Sequence, residues 1–270
     1  MRRQQITSTV NPLIKEALRI KERRGRHGGA VFLIEGPHLI EMSLASPYAS
    51  LKHVFFSEDF SAAREGRRLL KRLEETSVNL VETSKRVMEK LTDTETPQGI
   101  AAMVARKTVA LDAIPFKTMP LLVVCDGIRD PGNVGTIIRA SDAAGADAVL
   151  LTPGTCDAFM PKAIRASAGS MFTIPVLSAG VGELVSFLGE RRMRLYAADV
   201  HTSHSLYETD FRAPVAIAFG NEAHGIGAEL LRKADLLFRI PVIGRAESLN
   251  VAMAASISLY EAVRQRGQIA

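Results

Sequence analysis

Three polar segments punctuate the C-terminal half of the chain, each with residues able to grip an anion or a hydroxyl. The first is Asp126–Gly145, DGIRDPGNVGTIIRASDAAG. Asp130, Pro131 and Gly132 read as a turn there, and Asn133 is placed to cap the helix that follows. Gly135 keeps the first helical turn thin, so that a backbone or a phosphate can approach. Arg139, four residues on, shares the face of Gly135. Its guanidinium can reach back toward an anion at the helix start. A plain turn with Arg139 in a surface ion pair satisfies the same spacing, and the segment alone does not choose.

The second segment, Phe219–Gly227 (FGNEAHGIG), joins an apolar run to a helix through Gly220, Asn221, Glu222, Gly225 and Gly227. So glycine-rich a backbone can hold a planar or extended ligand by main-chain groups, with Glu222 available to a hydroxyl. A simple capped turn also fits. The third, Ile240–Val251 (IPVIGRAESLNV), sets Glu247, Ser248, Leu249 and Asn250 directly before an Ala- and Ser-rich helix. Ser248 or Asn250 can cap that helix. Met253, Ala254, Ala255, Ser256 and Ser258 leave its surface thin, which invites a partner helix or a crossing loop.

Alternating strands and helices must position these segments. In the C-terminal half, strands are expected at Leu121–Cys125, Ala148–Leu151, Phe172–Val176, Arg194–Asp199, Val215–Phe219 and Leu236–Ile240. Helices are expected at Asn133–Ala144, Ala158–Ala168, Gly182–Arg191, Ile226–Lys233 and Val251–Arg264. The strands are almost wholly apolar, as in a parallel sheet covered on both faces, and ligands collect at the carboxyl ends of such strands. The N-terminal half alternates on its own. A helix over residues 11–24, capped by Asn11, precedes an interruption at Gly25, Gly28 and Gly29. Strand Val31–Ile34, helix Pro37–Leu44, strand His53–Ser57 and the charged amphipathic helix Arg64–Thr76 follow. Strand Asn79–Glu82, helix Ser84–Leu91, the polar turn Thr92–Gly99 and strand Ile100–Val104 complete it. This pattern predicts an α/β protein of two domains, 1–106 and 121–270, joined by a proline-containing linker over 107–120.

Composition sets the class. With 47% hydrophobic and 23% charged residues the chain is an ordinary globular one. No run reaches the roughly 18–20 apolar residues of a membrane helix, and the N-terminus lacks a secretory signal. Cys125 and Cys156, both at ends of apolar runs read as strands, imply no disulfide framework, so a cytoplasmic protein is expected. The net charge is +5, and residues 1–26 alone carry eight basic residues (Arg2, Arg3, Lys15, Arg19, Lys21, Arg23, Arg24, Arg26) against Glu16 and Glu22. Such a concentration favours a polyanion, although a solvated helix and tail would look the same. No dinucleotide fingerprint, P-loop or serine-hydrolase elbow occurs. His201 and His204 lack a third ligand nearby, so no metal site is expected.

Taken in this order, the three segments resemble the SPOUT superfamily of RNA methyltransferases, in its SpoU/TrmH branch. The resemblance rests on GNVGTIIRA (Asn133, Arg139), on FGNE…G (Phe219–Glu222, Gly225) and on IP…ESLNV (Ile240, Pro241, Glu247–Val251), over roughly residues 120–266. More loosely, FLIEGPHLI at Phe32–Ile40 and TPQGIAAM at Thr96–Met103 are similar to the L30e-like substrate-binding domain often attached to that branch. The resemblance implies a C-terminal α/β domain with a mostly parallel sheet and a trefoil knot. It further implies a homodimer with the site near the subunit interface, S-adenosyl-L-methionine as cofactor, and a ribose 2′-hydroxyl of RNA as methyl acceptor. On this analogy Phe219, Gly220, Asn221, Gly225, Ile240, Leu249 and Asn250 hold the cofactor. Arg139, Asn133, Glu222, Ser248 and Asn250 serve the chemistry. A separate N-terminal domain favours large-subunit ribosomal RNA over transfer RNA, the alternative substrate. Two rival readings are a catalytically silent RNA-binding or ribosome-assembly protein of the same fold and a nucleotide-using enzyme of the flavodoxin-like kind.

Overall fold

The structure, a computed structural model, describes residues 4–22, 30–94 and 96–267. It divides into two compact units, Met1–Lys107 with Phe159–Ile164, and Thr108–Ala158 with Arg165–Ala270. Of the N-terminal basic cluster, Arg2, Arg3, Arg23, Arg24 and Arg26 lie outside the described residues, as do Gly25, Gly28 and Gly29.

The first unit runs β1 (Gln4–Ile6), α1 (Pro12–Glu22), β2 (Val31–Glu35), α2 (Pro37–Leu44), β3 (Ala49–Ser57), α3 (Glu58–Ala62), α4 (Arg64–Glu74), β4 (Asn79–Thr83), α5 (Lys85–Leu91) and β5 (Ile100–Arg106). Its five strands lie in the order β1-β4-β3-β5-β2. β4 is parallel to β1 and β3, whereas β5 is antiparallel to β3 and β2. Asn11 does cap α1, its Oδ1 accepting the Leu13 N–H at 2.9 Å. Ile14 and Ala17 of α1 bury against Phe55, Val81, Val87, Met88 and Leu91. Lys21 is not free for a polyanion, because its ammonium pairs with Asp93 at 2.9 Å and donates to the Lys90 and Thr92 carbonyls. β1 and α3 were not expected. β1 spans three residues, too few to show alternation. α3 is a single turn capped by the Ser57 hydroxyl and separated from α4 by extended Ala63.

The second unit comprises β6 (Leu121–Asp126), α6 (Pro131–Ala143), β7 (Ala148–Leu151), the last three residues of α7 (Pro161–Ser167), β8 (Val176–Ser178), α8 (Val181–Glu190), β9 (Arg194–Ala198), β10 (Val215–Gly220), α9 (Ala228–Leu231), β11 (Leu236–Phe238) and α10 (Val251–Gln265). The sheet order is β11-β9-β10-β6-β7-β8, and every pair is parallel. The α/β class with a parallel sheet is therefore as the apolar strands predicted. Leu122, Val124, Leu150, Ala216 and Ala218 pack with Leu184 and Leu188 of α8, and Ile114 of segment 107–120 is buried with them.

Several boundaries differ for identifiable reasons. Phe172–Val176 is not a strand. Ser170–Phe172 forms a 3-10 turn after left-handed Gly169, and β8 begins only beyond Pro175, which has no N–H for a ladder. Two helices and a strand start late or stop early. The Ala158–Ala168 expectation reduces to α7, which opens on Pro161. That for Ile226–Lys233 reduces to the single turn α9, and β11 ends at Phe238 rather than Ile240. Cys125 is buried in β6, but Cys156 is half-buried in a loop beyond β7. The thin surface of α10 needs no second chain, since Ala255, Ser258, Leu259 and Ala262 are buried and α6 of the same chain packs on α10.

The end of α10 is pinned by Arg266, whose guanidinium donates to four carbonyls: Met119 (2.7 Å), Pro120 (3.2 Å), Phe211 (2.9 Å) and Ala213 (2.8 Å). Burial lowers its pKa from the ordinary arginine value, and the carbonyl dipoles compensate the charge.

Candidate active site

The chain leaves β6 toward β7 and β8 on one side, then returns to place β10 against the other side of β6. Strand order reverses at that point, which is where a parallel sheet opens a crevice beyond its carboxyl ends. The last residues of the two strands, Asp126 and Gly220, are register partners there. Asp126 is a buried carboxylate, 7% exposed. It accepts the Thr152 hydroxyl on one oxygen and the Gly227 N–H on the other at 2.6 Å. Asn221 makes a second tie, donating its amide to the Gly127 carbonyl at 2.8 Å while its Oδ1 receives the Ala223 and His224 N–H groups. The Gly220–Gly227 loop is thus fastened to β6 at both ends. Gly220 must lack a Cβ, which would collide with the backbone of Gly225 and Ile226.

A hydrogen-bond chain joins the three polar segments. The Asn133 side chain does not cap α6, contrary to the sequence expectation. Asp130 is the N-cap and accepts the Asn133 N–H at 3.0 Å, with Pro131 in the first turn. This frees the Asn133 amide, which donates to Glu222 Oε1 at 2.7 Å. Its oxygen accepts from Asn250 Nδ2 at 3.0 Å. Asn250 in turn caps α10, accepting the Ala252 and Met253 N–H groups. Its capping and bridging roles coexist because oxygen and nitrogen do separate work.

Beside this chain lies a cavity of about 550 Å³, lined by all three carboxyl-end loops of β9, β10 and β11. Phe219, Gly220, Asn221, Glu222, Gly225, Ile240, Ser248, Leu249 and Asn250 all border it. So do Asp199, His201, Arg239 and Val251, which the sequence reading did not select. For Asp199 a signal existed, an acidic residue at the end of the apolar run LYAAD, the same pattern that marks Asp126 in LLVVCD. Asn133 and Arg139 are not among the lining residues. Arg139 stands exposed on α6 and has no ion-pair partner among the described residues. Burial and the carboxylates of Asp130, Asp157 and Glu222 raise the Cys156 thiol to about 11, and burial holds Cys125 protonated far above its ordinary value. Among the described residues no group of His, Cys, Asp and Glu could hold a metal. No helix among them is long and apolar enough to cross a membrane.

A parallel sheet with a glycine-lined cavity at the carboxyl ends of its strands, rimmed by carboxylate and amide groups, defines an α/β enzyme that takes a small polar cofactor. The SpoU rRNA Methylase family matches residues 120–260, and the MRM3-like substrate binding domain matches residues 11–102. The 23S rRNA (guanosine(2553)-2'-O)-methyltransferase RlmP of Bacillus subtilis (strain 168) is 36% identical over 256 residues, covering 95% of this chain and 98% of that protein. A crystal structure of an RNA 2'-O ribose methyltransferase superposes with a TM-score of 0.80 at 36% identity, over 97% of this chain and 99% of that one. The SpoU methyltransferase AviRb from Streptomyces viridochromogenes, in complex with the cofactor AdoMet, gives 0.87 at 28% identity, over 95% and 98%. The chain belongs to the SpoU rRNA methylase family.

Proposed function

We propose that the C-terminal unit transfers the methyl group of S-adenosyl-L-methionine to a ribose 2′-hydroxyl of ribosomal RNA, and that residues 1–106 form the domain that binds this RNA. The observation that carries the reading is the cavity at the carboxyl ends of β9, β10 and β11, bordered by the loops that hold Gly220, Ile240 and Leu249. Its volume of about 550 Å³ suits a nucleoside joined to an amino acid. Its Asp199 and Glu222 carboxylates and main-chain groups suit a ligand bearing sulfonium and ammonium charges, so the residues present fit the cofactor. Phe219, Gly220, Asn221, Gly225, Ile240, Leu249 and Asn250 would hold it. When bound, it supplies an electrophilic methyl on a sulfonium sulfur.

The remaining chemistry belongs to this chain. A ribose hydroxyl is a poor nucleophile while protonated. The Arg139 guanidinium, exposed on α6, clamps the adjacent phosphate and lowers the acidity barrier of the hydroxyl electrostatically. A guanidinium keeps its own proton at neutral pH, so the hydroxyl proton goes to a phosphate oxygen as the oxygen–methyl bond forms and the sulfur–methyl bond breaks. Asn133, Glu222, Ser248 and Asn250 orient ribose and cofactor, a positioning gain that enzymes of this type depend on.

The working form is a homodimer in the cytoplasm, and the stretch between β11 and α10 threads a trefoil knot, a rare topology. Exposed apolar side chains beside the site support the dimer: Ile243, 99% exposed, and Met253, Ile257 and Tyr260 along one stripe of α10.

The test is to incubate the purified protein with methyl-labelled S-adenosyl-L-methionine and large-subunit ribosomal RNA or transfer RNA, and to map 2′-O-methyl positions. Label at one ribosomal position is the expected result. Label in transfer RNA alone would move the substrate, and label in neither would overturn the function.

A further inference from the structure

Helix α4 (REGRRLLKRLE) has an extreme division of its faces. Gly66, Leu69, Leu70 and Leu73 are buried. At about 100° per residue, Arg64, Arg67, Arg68, Lys71 and Arg72 fall within an arc of roughly 140° opposite that buried stripe, while Glu65 and Glu74 stand at its borders. All five cations are on exposed residues. Arg72 is committed to Glu41 at 2.9 Å, and Arg67 donates to the Ala62 carbonyl. Arg64, Arg68 and Lys71, along the middle of the arc, have no ion-pair partner among the described residues.

This arrangement works against the helix. Arg64–Arg67, Arg64–Arg68, Arg67–Lys71, Arg68–Lys71 and Arg68–Arg72 are like-charge pairs at spacings of three or four residues, each destabilising an isolated helix. A merely solvated face would alternate signs, as good helix design does. Arg64, Arg68 and Lys71 have no ion-pair partner among the described residues, and their repulsion is relieved when a polyanion neutralises the face. The span from Arg64 to Lys71 is about 10 Å of helix, enough for the long side chains to reach successive phosphates.

We infer that the outer face of α4 is a docking surface for the phosphate backbone of RNA, engaged through Arg64, Arg68 and Lys71. The inference rests on the proposed ribosomal RNA substrate and names where the first unit grips it, by charge and without base readout.

The experiment uses the full chain and purified bacterial large-subunit ribosomal RNA, with binding followed as salt is raised. In the triple variant Arg64→Gln, Arg68→Gln, Lys71→Gln, affinity should fall on the order of a hundredfold at 0.1 M salt, the difference vanishing toward 1 M. The slope of log affinity against log salt should shrink by about 2–3. Thermal stability should hold or rise as repulsion is relieved, and S-adenosyl-L-methionine affinity should stay unchanged. The charge-keeping variant Arg64→Lys, Arg68→Lys should bind RNA as the parent does. An unchanged affinity and salt slope in the triple variant would overturn the inference, and the face would then suit an acidic protein instead. Equal loss in the lysine variant would also overturn it. If the parent protein neither binds nor methylates RNA, the proposed function itself fails, a separate outcome.

Discussion

Asn133 donates its side-chain amide to Glu222 at 2.7 Å across 89 residues of sequence, which makes the start of α6 and the β10 loop one rigid edge. Replacing the donor with an acceptor sets two carboxylates against each other. Asn133→Asp should therefore reduce methyl transfer about tenfold to a hundredfold, and more than Asn133→Ala does. Single-turnover rates of the two variants decide it, and equal activity in both would remove the amide from the site's geometry.

Arg139 is exposed on α6 and outside the cavity lining, so its loss should separate chemistry from cofactor binding. Arg139→Ala is expected to lower turnover by at least about a thousandfold. Calorimetric affinity for S-adenosyl-L-methionine should stay within about twofold. Near-parental turnover would exclude the guanidinium from the reaction.

Asp126 should act on the cofactor side alone. Asp126→Ala leaves the Gly227 N–H and the Thr152 hydroxyl without the carboxylate, at about 1–3 kcal/mol for the buried Thr152 group. The loop that carries Gly220 then loosens, and cofactor affinity should fall roughly tenfold or more, while RNA affinity is kept. Asp126→Asn, which keeps one acceptor, should recover part of the loss. A variant that binds cofactor like the parent would show the loop to be held by Asn221 alone.

Much of this site was legible in sequence because apolar runs such as LLVVC and VAIAF mark buried parallel strands, and polar segments after them mark their carboxyl ends. The cap of α6 was misassigned because Asp130 and Asn133 are both good capping residues three positions apart. Pro131, at home in a first helical turn, was the discriminating signal. That choice matters, since an Asn133 oxygen turned toward the helix N–H groups would be turned away from the Asn250 amide it accepts from. The coupling of Asn133 to Asn250, 117 residues away, and the Asp126 tie to Gly227 are tertiary pairings that no local pattern encodes. Local pattern also misled at Phe172–Val176, where apolar character outweighed Pro175.

Cys156 supplies a pH test. Its thiol is raised to about 11 by burial and by the carboxylates of Asp130, Asp157 and Glu222. A raised thiol pKa leaves the reactive thiolate scarce below it, about one part in a thousand at pH 8. Alkylation by iodoacetamide, followed by mass spectrometry, should be slow at pH 7–8 and accelerate about tenfold per pH unit toward 11. Rapid labelling at pH 7 would contradict the burial and the carboxylates around Cys156. Cys125, buried in β6, should stay unlabelled throughout.

The apolar stripe on α10 predicts association. Ile257→Glu with Tyr260→Glu should convert a dimer to a monomer in sedimentation, with thermal stability of the monomer changed little because both side chains are exposed. A parent protein that sediments as a monomer at micromolar concentration would remove the dimer from the proposal.

The four carbonyls gathered by Arg266 have a consequence for how the protein is born. Two of them, on Met119 and Pro120, lead into β6, the first strand of the second unit, and their partner arrives only after α10. Synthesis therefore delivers the opening strand 147 residues before the one that closes it, and Asn133 precedes Asn250 by 117. The second unit stays unlatched until its last helix is made, and a nascent fragment lacking that turn has all six strands but leaves the Met119 and Pro120 carbonyls without the guanidinium that gathers them.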